Sequence, residues 1–299
     1  MRQAFKIKFS PGFESRLALM FNKAKTMYLL KRNIKLLVPP LITAILKRIT
    51  SKLKLRSPKE IENAYSNREF LNYYFDSGEI RRRQLESGQY LNLNEITPGL
   101  ALSLMDKKST INVLDFGGGT GNLFHAIRHF LPAQKFVWNV VETPELVNRI
   151  FHSLKDEELE FGDSSLRFFS SIDQVLAVHP RIDIVIAASS VQYTNNPYET
   201  LASLINVGAK TIHISRMPFI QNERLLIFQQ KSRIVDNGPQ TGIQNSKIWV
   251  STTVRIPNLV EFQTQFAKNF PRVTTMLESP NGYPDSELVI PLYSIIGQK

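Results

Sequence analysis

The apolar residues of the chain follow two patterns, short continuous runs and helical spacing, and these two patterns alternate along the sequence. Short apolar runs predict strands, and apolar positions at helical spacing between them predict helices. This alternation favours an α/β domain in which crossover helices connect the strands of a parallel sheet. The predicted strands are 111–116, 135–142, 166–169, 182–189 and 210–215, and the predicted helices are 121–131, 144–154, 172–178 and 198–206.

The flanking regions predict further elements. The mixture of charged and aromatic residues between Ser57 and Asn94 predicts helices, and Pro98 to Met105 predicts another. A segment at 232–247 that is rich in Gly, Asn and Gln is expected to form a mobile flap or an insertion. Towards the C-terminus we expect a helix from Pro257 to Asn269, and late strands at 224–230, 247–254 and 287–297 that close the sheet.

The turn after the first core strand combines an acid with four glycines. The apolar run ends in Asp115, and Gly117-Gly118-Gly119-Thr120-Gly121 leads into the first core helix. Glycines let a backbone approach a ligand closely, and a helix N-terminus presents free N–H groups to it. The dinucleotide pattern G-x-G-x-x-G fails, because its third glycine position falls on Asn122. A P-loop fails because no Gly-Lys-Ser/Thr follows.

The spacing Asp115-x-Gly117-x-Gly119-x-Gly121 resembles the first motif of the class I S-adenosylmethionine-dependent methyltransferases. The resemblance implies a Rossmann-like α/β fold with a mostly parallel seven-stranded sheet, helices on both faces and an N-terminal helical extension. It implies that Asp115 reaches the ammonium of S-adenosylmethionine and that Glu142, which ends the next strand, holds the ribose hydroxyls. The other cofactor-binding residues that we expect are Gly118, Ser170, Ser171 and Ser189.

Four segments are similar to a narrower family of methyltransferases found among bacterial surface-polysaccharide genes. They are Val-Leu-Asp-Phe-Gly-Gly-Gly at 113–119, Trp-Asn-Val-Val-Glu-Thr-Pro at 138–144, Ser-Ser-Val-Gln-Tyr at 189–193 and Ile-Ser-Arg-Met-Pro at 214–218. The similarity implies O-methylation of a glycan or another cell-envelope precursor. A non-catalytic methyltransferase-like scaffold in a membrane-associated assembly and an RNA methyltransferase remain the alternatives.

The candidate catalytic residues follow the fourth and fifth predicted strands, because open α/β sheets bind ligands outside the carboxyl ends of their strands. Gln192 and Tyr193 follow the fourth strand, where polar residues also serve as ordinary loop caps. Arg216 ends the fifth strand and could grip a phosphate or carboxylate through two parallel hydrogen bonds. His213 has the side-chain type of a general base, but a histidine inside a strand is more often a hydrogen-bonded core residue.

Composition limits the chemistry further. The chain has no Cys, which excludes disulfides and cysteine metal sites. Its five His show no H-E-x-x-H zinc motif, so no metal is expected. His125 and His129 lie four residues apart on the first core helix, but no acid is near them in sequence, and both are expected at the helix surface.

Positive charge is concentrated before residue 60. Residues 1–59 hold 15 Lys or Arg and one acid, a net charge of +14 against +11 for the whole chain. From Leu41 to Leu53 the apolar positions form one helical face, which is typical of a helix in an anionic membrane surface. We therefore expect residues 31–56 to contact such a surface or, alternatively, to pack on the protein itself. Nucleic-acid binding is disfavoured, because aromatic residues are not interleaved with the basic ones.

These patterns divide the chain into two parts. Residues 1–59 form a basic amphipathic extension, and residues 60–299 form the methyltransferase domain that the resemblance implies. Within that domain we expect a helical cap at 60–108 and a Rossmann-like core at 109–299. The protein is expected in the cytoplasm, attached peripherally at the inner face of the plasma membrane, with a glycan or small-molecule acceptor as its partner.

Overall fold

A large sheet flanked by helices forms the centre of the fold. The computed structural model describes residues 60–62, 64–88, 98–99, 101–102, 110–153, 158–236, 248–280, 282 and 290–299, which belong to the unit Pro58–Lys299. The strands are β1 (Glu60–Glu62), β2 (Thr110–Phe116), β3 (Lys135–Val141), β4 (Glu158–Phe161), β5 (Ser164–Phe169), β6 (Ile184–Ala188), β7 (Thr211–Pro218), β8 (Leu225–Arg233), β9 (Trp249–Pro257), β10 (Arg272–Ser279) and β11 (Leu292–Gln298). The helices are α1 (Arg68–Glu86), α2 (Asn122–Phe130), α3 (Pro144–Phe151), α4 (Ile172–Val178), α5 (Pro197–Asn206) and α6 (Leu259–Ala267).

The large sheet is mostly parallel and has the strand order β10-β11-β7-β6-β2-β3-β5-β4. Strands β7, β6, β2, β3 and β5 are parallel to one another, whereas β4, β10 and β11 pair antiparallel with their neighbours. Most residues of β3, β6 and β7 are buried on both faces, which suits a sheet covered on both sides. The predicted Rossmann-like α/β fold is therefore confirmed. The described part of the sheet has eight strands where seven were expected, because β4 adds an antiparallel strand at one edge.

Helices cover both faces of the sheet, and each face has its own apolar core. Successive side chains of a strand point to opposite faces. Val113 of β2 accordingly packs in a core with Phe70 of α1 and Phe124 of α2, whereas Leu114 packs in a core with Leu201 of α5. Burial of both faces fixes the register of the central strands, since a slip of one residue would move the apolar side chains of each face to the opposite face.

The strand order reverses between β2 and β6. Strand β2 pairs with β3 on one side and with β6 on the other. In open α/β sheets, ligands bind in the crevice outside the carboxyl ends of the strands at such a reversal. The loops that follow β2 and β6 therefore define the candidate site.

The late strands β8 and β9 do not join the large sheet, so the prediction that 224–230 and 247–254 close it was wrong. They pair with each other over nine residues each, from Leu225↔Pro257 to Arg233↔Trp249, and β1 adds to β9 in parallel. The resulting three-stranded sheet has the order β1-β9-β8. The edge of the large sheet is occupied by the antiparallel pair β10–β11, of which β10 was not predicted.

His125 lies inside the protein, so the prediction of a surface position was wrong for this residue, whereas His129 is exposed. The ring of His125 packs edge-on against Phe124 and Phe161, with centroids 5.3 and 5.1 Å away. Burial lowers the pKa of His125 to about 3, with Arg82 adding to the effect. The imidazole is therefore a neutral part of the apolar core on the α2 face.

Several predictions fall on residues outside the described part of the chain. They are the basic extension 1–59 with its membrane segment 31–56, residues 100 and 103–105 of the helix predicted at Pro98–Met105, residues 237–247 of the predicted flap, and residues 287–289 of the last predicted strand. Ser232 and Arg233, at the start of that flap, belong to β8 instead. Across the described ranges, no helix has both the length and the apolar content required to cross a bilayer.

Candidate active site

The loop between β2 and α2 is built on glycines in conformations that other residues rarely adopt. The φ angle is 70° at Gly117, 62° at Gly119 and 79° at Gly121. Space is restricted as well. A Cβ at Gly117 would collide with the side chain of Ser190, and a Cβ at Gly119 would lie 2.8 Å from the phenol oxygen of Tyr74. The loop thus lies against the segment after β6 and against α1 so closely that only glycine fits.

Asp115, near the end of β2, is a buried carboxylate beneath this loop. It is 1% exposed, and its Oδ2 accepts a hydrogen bond from Nε1 of Trp138 at 3.0 Å. Its Oδ1 is buried and finds no hydrogen-bond partner among the described residues. Burial raises the pKa of Asp115 to about 7, against the opposing effect of the Trp138 hydrogen bond. A half-paired carboxylate in this position favours a ligand that brings positive charge or a hydrogen-bond donor.

Glu142 follows β3 directly and reaches back to the same loop. Its Oε1 accepts the backbone N–H of Gly119 at 2.9 Å, and its Oε2 accepts the backbone N–H of Thr143 at 3.0 Å. Burial raises the pKa of Glu142, and the two hydrogen bonds oppose that rise. The charge of Glu142 in turn contributes to the raised pKa of Asp115. Two acidic side chains, Asp115 and Glu142, therefore border the glycine loop.

Helix α1 forms one wall of the site through Tyr74 and Gly78. A Cβ at Gly78 would collide with the side chain of Thr120, so the helix backbone lies directly on the loop. Burial raises the pKa of the Tyr74 phenol, and the charge of Glu142 adds to that rise. The phenol therefore stays protonated and can act as a hydrogen-bond donor. Its place among the aromatic residues of the predicted cap was the only sequence signal for this role, and it did not single out Tyr74.

The segment after β6 forms a second, polar wall. Ser189 has a φ of 57°, its N–H donates to the carbonyl of Ser215 at 2.9 Å, and its Oγ accepts from Nε2 of Gln192 at 2.9 Å. Gln192 is 1% exposed, and its Oε1 has no hydrogen-bond partner within the described ranges. The Tyr193 hydroxyl donates to Oε1 of Gln230 on β8 at 3.4 Å. The small sheet therefore contributes to this side of the site.

Arg216 lies near the end of β7, also with a positive φ of 51°. Its Nη2 donates to the carbonyl of Ala188 at 3.3 Å, and its buried Nε has no partner in the part of the chain that the structure describes. Its backbone N–H donates to Oε2 of Glu278 on β10 at 2.6 Å. The guanidinium opposes the rise in pKa that burial causes at Asp115 and Tyr193, so its charge acts at the site.

His213 lies in the interior of β7 and not at the edge of the sheet. It is fully buried, pairs in register with Ile186 and Ile296, and its Nε2 is 2.6 Å from Oγ of Ser294. Burial lowers the pKa of His213 to about 4. This placement favours the core-histidine alternative, because the ring is neutral and is surrounded by the sheet.

Ser170 and Ser171 follow β5 at the same edge as Glu142, whose N–H donates to the carbonyl of Phe169 at 3.0 Å. The N–H and Oγ of Ser170 both donate to Oε1 of Gln174 at 3.0 Å. Ser171 caps α4, since its Oγ accepts the N–H of Gln174 at 3.2 Å. Both serines therefore lie at the carboxyl edge, but their hydroxyls already have partners in α4.

Most of the residues proposed from the sequence lie at the carboxyl edge of the parallel strands, whereas His213 lies inside β7. Across the described part of the chain, no group of three or more side chains could hold a metal ion. Three residues that shape the site were not singled out from the sequence, and they are Tyr74, Trp138 and Glu278.

No protein-family model and no curated protein matches the chain. Among solved structures, it is similar to the glycopeptide N-methyltransferase MtfA complexed with S-adenosyl-L-methionine, at 11% identity and a TM-score of 0.39 over 70% of this chain and 96% of that one. It is also similar to the plantazolicin methyltransferase BpumL in complex with SAH, at 12% identity and a TM-score of 0.42 over 79% and 93%. A third is precorrin-6y C5,15-methyltransferase from Geobacter metallireducens GS-15, at 13% identity and a TM-score of 0.36 over 69% and 87%. At TM-scores below 0.5, the likeness assigns no activity to this chain.

Proposed function

We propose that this protein is an S-adenosylmethionine-dependent methyltransferase. The observation on which the proposal depends is Asp115, a buried carboxylate with one unpaired oxygen beneath a glycine loop, at the point where the strand order reverses. A cationic group beside Asp115 would offset the cost of burying its charge. S-adenosylmethionine offers an ammonium for this position and supplies a methyl group activated by the positive charge on its sulfur.

The same charges disfavour a dinucleotide in this crevice. An anionic pyrophosphate over the loop would face both Asp115 and Glu142, and like charges repel strongly where water is excluded. In addition, the N–H of Gly119 already donates to Glu142, so it is not free to bind a phosphate oxygen. A nucleoside with positive charge fits the donor set better.

Each residue of the crevice then has a role in binding. Asp115 would hold the ammonium, and Glu142 would hold the ribose hydroxyls. Gly117 and Gly119 allow the backbone to approach the methionine end, where any Cβ would collide with its neighbours. Tyr74 closes the crevice on the α1 side and excludes water.

For the acceptor, we propose a hydroxyl group of a glycan or of another cell-envelope precursor. The hydrogen-bonding groups of Ser189, Gln192 and Tyr193 suit a polyhydroxylated molecule, and Arg216 suits a carboxylate or phosphate on it. Alignment of the acceptor with the methyl group is the main contribution that the protein can make to such a displacement. His213 has no part in this proposal, because it is buried in the sheet.

Calorimetric titration tests the cofactor proposal. S-adenosylmethionine is expected to bind the full chain, whereas NAD⁺ is not. The Asp115→Asn variant should bind the cofactor more weakly, and Asp163→Asn, which changes an exposed acid, should bind it like the wild type. Binding of NAD⁺ alone would overturn the proposal, and binding of neither would favour the scaffold alternative. A screen of lipid-linked and nucleotide sugars with radiolabelled cofactor then tests the acceptor class.

We also propose that residues 31–56 attach the enzyme to an anionic membrane surface. The concentration of the positive charge in residues 1–59 supports this proposal. The full chain should sediment with phosphatidylglycerol vesicles and not with phosphatidylcholine vesicles. Replacement of Lys47, Arg48 and Lys52 by Gln should reduce that binding. Salt-sensitive binding to an RNA oligonucleotide without vesicle binding would favour an RNA methyltransferase instead.

A further inference from the structure

Two β-bulges flank the same stretch of β11. From Tyr293 to Ile295, β11 advances by two residues, whereas the paired residues of β7 run from Met217 to Ile214, a step of three. Strand β7 therefore has one extra residue opposite this part of β11. On the other side, Leu277 and Ser279 of β10 pair with the adjacent residues Tyr293 and Leu292, so Glu278 is an extra residue. Bulges redirect side chains and occur frequently beside active sites.

The two bulges are joined by a hydrogen bond across β11. Arg216 lies within the bulge of β7 and has a φ of 51°, a conformation that is sterically unfavourable for any residue with a Cβ. At a bulge the ladder of backbone hydrogen bonds is interrupted, so the N–H of Arg216 is left to water or to a side chain, and the exposed residue Glu278 supplies that side chain. Oε2 of Glu278 accepts the N–H of Arg216 at 2.6 Å. The bulge residue of β10 thus stabilises the strained residue of β7.

The carboxylate of Glu278 is itself held from the interior. Ser294 hydrogen-bonds to Glu278, and its Oγ is 2.6 Å from Nε2 of His213. Ser294 and His213 are both fully buried. The sheet interior therefore supports the carboxylate through a chain of two polar side chains, which gives His213 a structural partner.

The bulge determines where the guanidinium of Arg216 lies. The side chain turns back towards β6, where Nη2 donates to the carbonyl of Ala188. Ala188 is the residue before Ser189, which also has a positive φ and whose N–H donates to Ser215. If β7 continued without the bulge, the alternation of side chains would direct residue 216 differently.

We propose that Glu278 is a positioning residue: its carboxylate holds the Arg216 backbone in the left-handed bulge, so that the guanidinium faces the acceptor side of the crevice. The proposal rests on the role assigned to Arg216 in the proposed function. Glu278 itself contacts no reacting atom, and it acts only through Arg216.

The Nε–H signals of arginine side chains in a ¹⁵N-resolved NMR spectrum test this directly. In the wild type, the buried Nε–H of Arg216 should exchange slowly with water, in contrast to that of the exposed Arg181. Glu278→Ala should make the Arg216 signal behave like that of Arg181. Glu278→Gln should restore it, because an amide oxygen still accepts the backbone N–H. An unchanged signal in Glu278→Ala would overturn the proposal, and so would a Gln variant as disruptive as Ala.

A double-mutant cycle on unfolding separates the backbone effect from general packing. Glu278→Ala should lower the folded-to-unfolded ratio several-fold in the wild type. In the Arg216→Gly background the loss should nearly disappear, because glycine adopts a positive φ without strain. Equal losses in both backgrounds would contradict the proposal. Neither test requires the cofactor, so a wild-type chain that fails to bind S-adenosylmethionine refutes the proposed function and leaves both tests of Glu278 intact.

Discussion

Replacement of Asp115 by Asn should make the ligand-free protein more stable while it weakens binding of the cofactor. The carboxylate is 1% exposed and has only Trp138 as a partner among the described residues. Burial raises its pKa from 3.8 to about 7, so the folded state favours the protonated form. The stability of the wild type therefore falls as the pH rises from 3.8 to about 7, because the unfolded chain releases this proton and the folded chain retains it.

The size of the effect follows from the pKa difference. Each pH unit between 3.8 and 7 corresponds to about 1.4 kcal/mol, so ionised Asp115 destabilises the fold by about 4 kcal/mol above pH 7. Asn keeps an acceptor for Trp138 but buries an amide N–H₂ without a known partner, which costs about 1–3 kcal/mol. The variant should thus be more stable than the wild type by about 1–3 kcal/mol at pH 8. At pH 5 the destabilisation in the wild type is only about 2 kcal/mol, and the advantage should nearly vanish.

Urea unfolding of both proteins at pH 5 and pH 8 measures this difference. The stability of the Asn variant relative to the wild type should rise by about 3 kcal/mol between the two pH values. Asp163→Asn, at an exposed acid on the same domain, should show no such rise. Affinity for S-adenosylmethionine should fall by about 1.5–3 kcal/mol in Asp115→Asn, because a charge-assisted hydrogen bond is lost. If the difference in unfolding free energy between Asp115→Asn and the wild type does not change with pH, the raised pKa assigned to buried Asp115 is refuted.

Three further changes test other parts of the site and of the sheet. Glu142→Ala should weaken binding of S-adenosylmethionine by roughly 1–3 kcal/mol in calorimetry, since the proposed ribose contact is lost. Gly119→Ala should abolish cofactor binding, because the new Cβ would lie 2.8 Å from the Tyr74 hydroxyl. Gly162→Ala, with a similar φ of 65° and no described atom within 4 Å, should retain binding and lose only about 1–2 kcal/mol of stability. His213 has a pKa lowered to about 4, so the wild type should lose about 3 kcal/mol of stability as the pH falls from 6.5 to 4, and His213→Leu should lack that loss in urea unfolding.

The core of the fold could be predicted from the sequence because its elements have strong local signals. The first core strand was expected at 111–116 and lies at Thr110–Phe116, and the helix expected at 172–178 lies at Ile172–Val178. Buried parallel strands are apolar runs, and glycine or a capping residue marks the ends of the helices between them. The glycine loop was recognised from its local spacing, whereas the roles of Asp115 and Glu142 were predicted from the family resemblance.

The outer strands could not be predicted in the same way. Strand β10 alternates between half-exposed and exposed side chains and includes exposed Met276 and Leu277, so it has no apolar run. Strands β8 and β9 were recognised, but strand patterns do not specify which sheet a strand joins. The contribution of Glu278 was hidden for this reason, because a hydrogen bond across β11 is visible only once the pairing of β10, β11 and β7 is known.

Backbone strain marks the carboxyl ends of β6 and β7 independently of any resemblance. The non-glycine residues with positive φ in the described part of the chain are Ser189 and Arg216, and they lie after β6 and near the end of β7. Strained conformations persist only where surrounding contacts hold them, and they cluster at functional sites. Here the contacts are the bond from Ser189 N–H to Ser215 and the bond from Arg216 N–H to Glu278. Selection for stability alone would not be expected to retain two residues with positive φ beside a buried, half-paired carboxylate. The two strained residues and the half-paired carboxylate all lie at one edge of the sheet. This is the expected result if that edge binds a ligand.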